Sequence, residues 1–269
     1  MRRALVMLAA AGLVASLAAA CGGTGATPAP TAAAASGTEA SPGSDAEPLD
    51  LVLLGNSGGR GLAQPYAALA AEAQGREVRV HDYVIDGAGP NELLEAIHGT
   101  VAEEVADAEI VVFIVSPIGV TPASHQPCIP FYEDQTGEPP LPTTVEDWQD
   151  LRDALDRNYD KIWELRAGQP TIIRVVSSFN PWFGQLQQAG IASLCMDNEE
   201  VRDQVERDAA EAAGAVFVSW LDLFNGPAHD VDPVEQGWIA DGVHLNDAGR
   251  ALLVEALAAT GWEASEPPG

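Results

Sequence analysis

The chain has 269 residues, of which 46% are hydrophobic and 20% are charged, so it can bury a core and is excluded from the disordered and fibrous classes. The 40 acidic and 13 basic residues give a formal net charge of −27. Because such a field repels phosphate backbones and anionic lipid headgroups, we expect no nucleic-acid partner.

The first 20 residues are typical of an export signal. Arg2 and Arg3 precede an apolar stretch that is too short and too rich in alanine for a membrane span. The small residues directly before Cys21 resemble a bacterial lipobox, in which the cysteine becomes the lipid-modified first residue, although Ala18 stands where that motif prefers leucine. We therefore predict a signal peptide over 1–20, a lipid on Cys21, and an extracytoplasmic protein that contacts the bacterial cell membrane only through this lipid. A cleaved signal that leaves Cys21 unmodified is the alternative.

A linker and a single folded domain follow the signal. Of the 28 residues in 21–48, 24 are Gly, Ala, Pro, Ser or Thr, which leaves too little apolar surface to offset the entropy of ordering the segment. We predict a flexible linker over 21–48 and a folded domain over 49–262, expected to be a monomer. The tail over 263–269 is predicted to be disordered.

Strand-like and helix-like patterns alternate through the domain. Short apolar runs rich in β-branched residues predict five buried strands, at 51–54, 78–84, 110–115, 171–176 and 215–218. Helical periodicity predicts five helices, at 64–73, 91–105, 145–165, 198–213 and 246–259. Because this alternation needs crossover connections, it predicts a parallel sheet with helices on both faces, whose ligands bind beyond the carboxyl ends of the strands.

Two of the loops carry residues suited to nucleophilic catalysis. The first strand runs into a glycine-rich turn that would present the Ser57 hydroxyl at the edge of the sheet, although such turns are also common as purely structural features. Before the last helix, Asp241 precedes His244 by three residues. Its carboxylate can therefore reach the imidazole and leave the other ring nitrogen as a base. The same spacing can alternatively cap a helix.

Together these segments resemble the SGNH hydrolases, also called the GDSL esterase and lipase family. The resemblance rests on the Ser57 turn and on the Asp-Gly-Val-His-Leu-Asn-Asp-Ala-Gly stretch at 241–249, and it spans about residues 50–260. It implies a flavodoxin-like three-layer α/β/α sandwich whose five-stranded parallel sheet has the order 2-1-3-4-5. It further implies ester hydrolysis without cofactor or metal, with Ser57 as nucleophile, His244 as general base and Asp241 as the carboxylate that orients the base.

The family pattern also includes an oxyanion hole. The resemblance implies that Ser57 and either Gly89 or Gly87 contribute backbone donors to it. The third family block normally adds an asparagine side chain, but Ile118 stands at that position. Loss of one such donor costs about 3 kcal/mol in the transition state.

Further departures and substitutes concern asparagine residues. In the first block Asn56 replaces an aspartate and Gly58 replaces a leucine. Backbone N–H groups, Asn91 or Asn180 are the candidates to replace the missing donor.

We therefore expect a secreted, membrane-tethered serine esterase for a small-molecule or glycan ester, with acetyl esters of glycans as the first substrates to try. The alternatives are an acyltransferase of the same fold, or a non-catalytic surface lipoprotein that binds a glycan or small ligand.

Two cysteines remain in the domain once Cys21 is assigned to the lipid. An oxidising compartment allows Cys128 and Cys195, both in predicted loops, to form a disulfide, with two free thiols as the alternative. His125 and Cys128 have a spacing found in zinc sites, but no second ligand pair follows, and we expect no metal there.

Aromatic and acidic residues cluster in the same loops. Aromatic side chains that can flank the serine or anchor the loops are Phe131, Tyr132, Phe179, Trp182, Phe183, Trp220 and Trp238. The acidic run Asp222, Asp230, Asp232 and Glu235 is expected to be a solvated face, with a calcium site as the alternative.

Overall fold

The computed structural model describes residues 46–130 and 138–267. The predicted signal peptide, Cys21, most of the predicted linker, Phe131 and Tyr132 lie outside these residues. Among the helices described, none is long and apolar enough to cross a membrane.

The sheet has five parallel strands in the order 2-1-3-4-5, as predicted. The strands are β1 Leu49–Gly55, β2 Val78–Val84, β3 Ile110–Ile114, β4 Ile172–Val176 and β5 Val216–Val218. Gly55 at the end of β1 pairs with Val84 on one side and with Ile114 on the other, so three strands end at nearly the same level. The prediction of the fold class is confirmed.

The part of the chain that the structure describes contains eight α-helices. They are α1 Ala63–Gln74, α2 Pro90–His98, α3 Ala102–Asp107, α4 Gln149–Arg166, α5 Phe183–Ala189, α6 Ala192–Ala212, α7 Trp220–Asn225 and α8 Asp247–Ala259. The single helix predicted over 91–105 is two helices, because the backbone leaves the helical region at Gly99. The short helices α5 and α7 were not predicted, and α6 begins six residues before its predicted start.

The core is divided between the two faces of the sheet. Because side chains alternate along a strand, Val52 and Leu54 of β1 pack against α2 and α4, whereas Leu51 and Leu53 pack against α1 and α8. Both groups of side chains are fully buried. This is the three-layer sandwich expected for a parallel sheet covered on both faces.

The residues beyond Trp262 are attached to the sheet. Ser265 forms an antiparallel bridge with Thr171, and its hydroxyl accepts a hydrogen bond from the Ile173 backbone at 3.2 Å. Ser265 is buried. The prediction of a disordered tail is therefore wrong for the described part of 263–269, because backbone pairing fixes it next to β4.

The connection between β3 and α4 is covalently linked to α6. Cys128 and Cys195 form a disulfide with a Cα–Cα distance of 5.4 Å. The expectation that both lie in loops is wrong, since Cys128 ends a short 3-10 turn and Cys195 lies in the first turn of α6. Three residues further along α6, the Asn198 amide bonds to the backbone of the same connection: it accepts from Thr143 N at 2.8 Å and donates to Leu141 O at 2.9 Å.

Candidate active site

Ser57 begins a single 3-10 turn directly after β1. The Asn56 side chain accepts a hydrogen bond from Gly58 N at 2.9 Å, and the Asn56 carbonyl accepts one from Gly59 N at 2.9 Å. Asn56 thus caps the turn through its amide oxygen, as the carboxylate of the family pattern also could. Gly55 is required by close packing, because a Cβ there would lie 2.7 Å from the Ile114 Cβ.

His244 is held by the loop that precedes α8. Ile239 and Leu245 form an antiparallel bridge, and Ala240 N donates to the His244 carbonyl at 2.8 Å. The N-cap of α8 is Asn246, whose side chain accepts from Gly249 N at 3.0 Å. Because Asn246 performs the capping, the alternative role of Asp241 and His244 as a helix cap does not apply.

The structure brings Ser57, His244 and Asp241 into one hydrogen-bonded chain. Ser57 Oγ lies 3.0 Å from His244 Nε2, and His244 Nδ1 lies 2.8 Å from Asp241 Oδ2. The other carboxylate oxygen of Asp241 accepts from the backbone N–H groups of His244 at 2.8 Å and of Val243 at 3.1 Å. These backbone bonds, together with the bond from the imidazole, lower the pKa of Asp241 to about 2.

This hydrogen-bonded chain can activate the Ser57 hydroxyl. The ionised Asp241 holds a proton on His244 Nδ1, which leaves Nε2 free to accept the proton of the Ser57 hydroxyl. The side chain of Asp241 is 58% exposed and that of His244 is 30% exposed, so the pair lies at the rim of the site. The geometry is that of a nucleophile, a base and an orienting carboxylate.

Ser57 and His244 face a cavity of about 440 Å³ at the carboxyl ends of β1, β3 and β4. Its walls are Asn56, Ser57, Gly58, Ser116, Pro117, Ile118, Thr121, Ile129, Ser178, Phe179, Pro181, Trp182, Glu199, Arg202, Trp220, Val243 and His244. Three of the predicted aromatic residues, Phe179, Trp182 and Trp220, therefore line it. The cavity is mainly apolar, with a few polar groups.

Two other predicted aromatic residues pack elsewhere. Phe183 lies in a small cluster with Met196 and Leu221. The Trp238 ring packs edge-on against Phe224 at 5.7 Å between ring centroids. Neither residue lines the cavity: Phe183 packs at the start of α5, and Trp238 packs in the loop before α8.

The predicted oxyanion glycines are not among the residues that line this cavity. Gly89 N donates to the Glu92 carboxylate at 3.0 Å and caps α2, and Gly87 is exposed; neither lines the cavity. Gly89 is needed for a different reason, because a Cβ there would lie 1.9 Å from the Ile118 carbonyl oxygen. The role of Gly89 or Gly87 as an oxyanion donor stays a prediction, and in this structure the Gly89 N–H is bonded to Glu92.

The asparagines considered as substitutes are also engaged elsewhere. The Asn91 side chain accepts from Arg157 on the surface, at 3.2 Å. The Asn180 side chain donates to Glu199 at 3.1 Å and accepts from Trp182 N at 2.9 Å. Neither asparagine lines the cavity.

A buried charge network, which the sequence analysis missed, forms the wall of the cavity at α6. Glu199 and Arg202 are each 2% exposed and pair with each other, and Arg202 also lies 3.2 Å from Glu206. His125 Nε2 lies 3.3 Å from Glu199 Oε1. Glu199, Arg202 and Glu206 follow Cys195 on α6 at steps of four, three and four residues, a spacing that places all four on one helix face.

Burial and pairing act differently on the two carboxyl groups. Burial alone would raise the pKa of Glu199, but Arg202, His125 and the bond from Asn180 outweigh it and lower this pKa to about 2. Burial raises the pKa of Glu206 to about 8, and Arg202 only partly opposes this. One arginine thus supports one ionised carboxylate.

Acidic residues in the run from Asp222 to Glu235 make separate local contacts. Asp222 lies 3.0 Å from His229 Nε2, and Asp232 accepts from Val234 N at 2.9 Å. Within 46–130 and 138–267, no group of three or more His, Cys, Asp or Glu side chains is arranged to hold a metal ion.

Solved structures with the same fold include lipases and esterases. No family model and no curated protein matches the sequence. The lipase Lip_vut3 from a goat rumen metagenome is 17% identical, with a TM-score of 0.56 over 80% of this chain and 98% of that one. The acetylxylan esterase Axe2 from Geobacillus stearothermophilus is 17% identical, with a TM-score of 0.52 over 80% and 96%.

A third structure, from Parabacteroides merdae, is a protein assigned as a GDSL-like lipase. It is 18% identical, with a TM-score of 0.55 over 81% of this chain and 97% of that one. At these identities the likeness concerns the fold. The fold implied by the resemblance to SGNH hydrolases is thus the fold that this chain shares with these proteins.

Proposed function

We propose that this protein is a serine hydrolase of carboxylic esters, with Ser57 as nucleophile, His244 as general base and Asp241 as the orienting carboxylate. The observation that carries the proposal is the hydrogen-bonded chain from Ser57 through His244 to Asp241, which opens into an apolar cavity. The shared fold with lipases and an acetylxylan esterase supports the same chemistry.

The reaction proceeds in two halves. Ser57 Oγ attacks the ester carbonyl carbon while His244 Nε2 takes the hydroxyl proton, and the carbonyl electron pair moves onto oxygen. The tetrahedral intermediate collapses, the alcohol leaves with the proton from His244, and an acyl group remains on Ser57. A water molecule then gives its proton to His244 and attacks the acyl carbon. When this second intermediate collapses, His244 returns the proton to Ser57 Oγ, the acid leaves and the enzyme is restored.

The cavity bears on the substrate. Its aromatic walls, Phe179, Trp182 and Trp220, provide flat apolar surfaces of the kind on which sugar rings stack. Because Axe2 is described as an acetylxylan esterase, acetyl esters of glycans are the substrates that we propose first. The negative charge of the chain favours neutral substrates over anionic ones.

We also propose that the domain acts outside the cytoplasm as a monomer tethered by a lipid on Cys21. The disulfide between Cys128 and Cys195 supports this location, since disulfides persist in oxidising compartments. Mass spectrometry of the protein extracted from a bacterial host tests the tether. A mature chain that begins with diacylated Cys21 is expected, and an unmodified start would refute it.

The esterase proposal is tested with p-nitrophenyl acetate and the chain from residue 46 onward. Wild type is expected to hydrolyse this ester, and Ser57→Ala and His244→Ala are expected to lose at least about a thousandfold in kcat. The control is Ser265→Ala, which removes a buried hydroxyl far from the cavity. An inert, folded wild type that also fails to react with a fluorophosphonate would refute the proposal.

A further inference from the structure

The oxyanion hole of this protein lacks its expected side-chain donor. Ile118 replaces the family asparagine, and the structure places Gly89, Asn91 and Asn180 in other hydrogen bonds. A hydrolase without a second donor would be slower by about two orders of magnitude. The cavity lining offers hydroxyl groups, the Asn56 amide and the Trp220 indole N–H as side-chain donors, and among these Ser116 follows the same strand, β3, as the missing asparagine would.

Ser116 and Ser57 follow the ends of two neighbouring strands. Gly55 of β1 pairs directly with Ile114 of β3, and Ser57 and Ser116 each follow these partners by two residues. Neighbouring strands are about 4.8 Å apart. Both serines line the same cavity, so the two hydroxyl groups emerge from adjacent strand ends into one space.

The Ser116 hydroxyl has a proton to donate. Its oxygen accepts a long bond from Ile118 N at 3.4 Å, but among the described residues nothing accepts its own proton. Ser116 is only 3% exposed and lines the cavity, so its hydroxyl is shielded from bulk water. Buried hydroxyl groups normally find an acceptor, and an unused donor beside a nucleophile suggests that substrate supplies one.

The other hydroxyl groups of the cavity have already used their protons. Ser178 donates to the Val115 carbonyl at 2.9 Å, and Thr121 donates to the Pro117 carbonyl at 2.8 Å. The backbone N–H of Ser57 is the first of its 3-10 turn, where no earlier turn supplies an acceptor. Ser116 Oγ and Ser57 N are thus two donors on neighbouring strand ends.

We infer that the Ser116 hydroxyl is a catalytic residue that donates a hydrogen bond to the oxyanion, together with the backbone N–H of Ser57, in place of the missing asparagine. This inference rests on the proposed ester hydrolysis. When Ser57 attacks, the carbonyl electron pair moves onto oxygen, and the Ser116 O–H bond stays intact while it stabilises that charge. The donor then releases the oxygen when the carbonyl re-forms and the alcohol departs.

The test compares kinetics with the binding of a transition-state analogue. In Ser116→Ala, kcat for p-nitrophenyl acetate is expected to fall about a hundredfold with KM within about threefold of wild type. The inhibition constant of phenylboronic acid, whose tetrahedral adduct on Ser57 places an oxygen in the hole, should rise by a similar factor. Ser265→Ala, which removes a remote buried hydroxyl, should change neither quantity.

Further variants separate the alternatives. Ser116→Cys leaves no gap and carries a weaker donor, so it should also lose activity, which guards against a packing effect of alanine. Asn56→Asp keeps the acceptor that caps the turn but removes an amide donor; a loss there, with none in Ser116→Ala, would overturn the inference. Equal boronate binding by wild type and Ser116→Ala would also overturn it, and the esterase would stand. An inert wild type would instead overturn the esterase, and the inference with it.

Discussion

Replacement of Asp241 by asparagine should inactivate the site by fixing the wrong tautomer of His244. One oxygen of Asp241 accepts two backbone N–H groups, and the other accepts His244 Nδ1–H. An asparagine can keep both backbone hydrogen bonds only if its side-chain oxygen takes the position of the carboxylate oxygen that accepts them. Its NH₂ group then faces Nδ1, so that Nδ1 must be an acceptor and the proton moves to Nε2, next to Ser57. A protonated Nε2 cannot act as the base.

The size of the loss follows from these contacts. The flipped amide that would restore the active tautomer forfeits two backbone bonds, worth about 1 kcal/mol each. Loss of the carboxylate charge beside the developing imidazolium costs about 1 kcal/mol more, since Asp241 is more than half exposed and well solvated. The sum of about 3 kcal/mol predicts a fall in kcat/KM of about two orders of magnitude. That is less than the factor of about 10⁴ known for a buried triad aspartate.

Asp241→Ala distinguishes this reasoning from a simple loss of charge. At an exposed position water can accept the Nδ1 proton, so the alanine variant should lose only about tenfold. The assay is kcat/KM for p-nitrophenyl acetate in mildly alkaline buffer, with Asp147→Asn as control, an exposed aspartate that accepts a backbone bond away from the cavity. If Asp241→Asn stays within threefold of wild type, or proves more active than Asp241→Ala, the tautomer argument is refuted.

Three further outcomes can be measured. The value of kcat/KM should rise between about pH 5 and 8, where imidazoles lose their proton, with no second limb from Asp241, whose lowered pKa keeps it ionised; a flat profile would contradict His244 as the base. Reduction of the disulfide, whose cysteines are 67 residues apart, should lower stability by about 4 kcal/mol and Tm by about 10 °C, whereas a Cys128→Ala, Cys195→Ala double variant should not respond to reductant. The pKa of Glu199 is lowered from its ordinary value of 4.5, so this group adds stability above pH 4.5 that is lost as the pH falls toward 2. Glu199→Gln should therefore have a smaller free energy of unfolding than wild type in urea at pH 7, and should lose less of that free energy on acidification. An equal loss in wild type and variant would contradict this.

The sheet could be predicted because its signals are local. The central strand β3 is a short β-branched run that burial on both faces leaves continuously apolar, whereas β2 at the edge alternates apolar and polar residues and is only half-buried. The helices α5 and α7 could not be predicted, since seven and six residues show too few turns for a helical period. What holds α7 is tertiary contact: Trp220, Leu221 and Phe224 are buried, and the Ser219 side chain caps its first turn.

The candidate active site likewise contains residues that could be predicted from the sequence and residues that could not. Ser57, Asp241 and His244 could be predicted because short segments bring each side chain to its place. Glu199 and Arg202 could not, because charged residues on a helix usually indicate a solvated face, and only the packing of α6 against the cavity buries them. Their spacing from Cys195 on one helix face was the available signal.

The buried network explains how the walls of the cavity are kept in place. A buried ion pair is poor evidence for stability, because desolvation can cancel the attraction between the charges. Here the pair fixes the loop between β4 and α5: Glu199 accepts from Asn180, whose amide oxygen accepts from Trp182 N, and Arg202 donates to the Ser178 carbonyl at 2.7 Å.

The same residues reach the strand end that carries Ser116. The Ser178 hydroxyl donates to the carbonyl of Val115, directly before Ser116, while His125 beside Glu199 belongs to the connection that continues from it. An oxyanion donor stabilises a transition state only if it is already in position, since reorganisation during the reaction would cancel the gain. A serine hydroxyl rotates more freely than an amide, so the residue that carries it must be held in position by its neighbours. Arg202 donates to the Ser178 carbonyl and the Ser178 hydroxyl donates to the Val115 carbonyl, so the charged residues of α6 help to fix the backbone that carries Ser116.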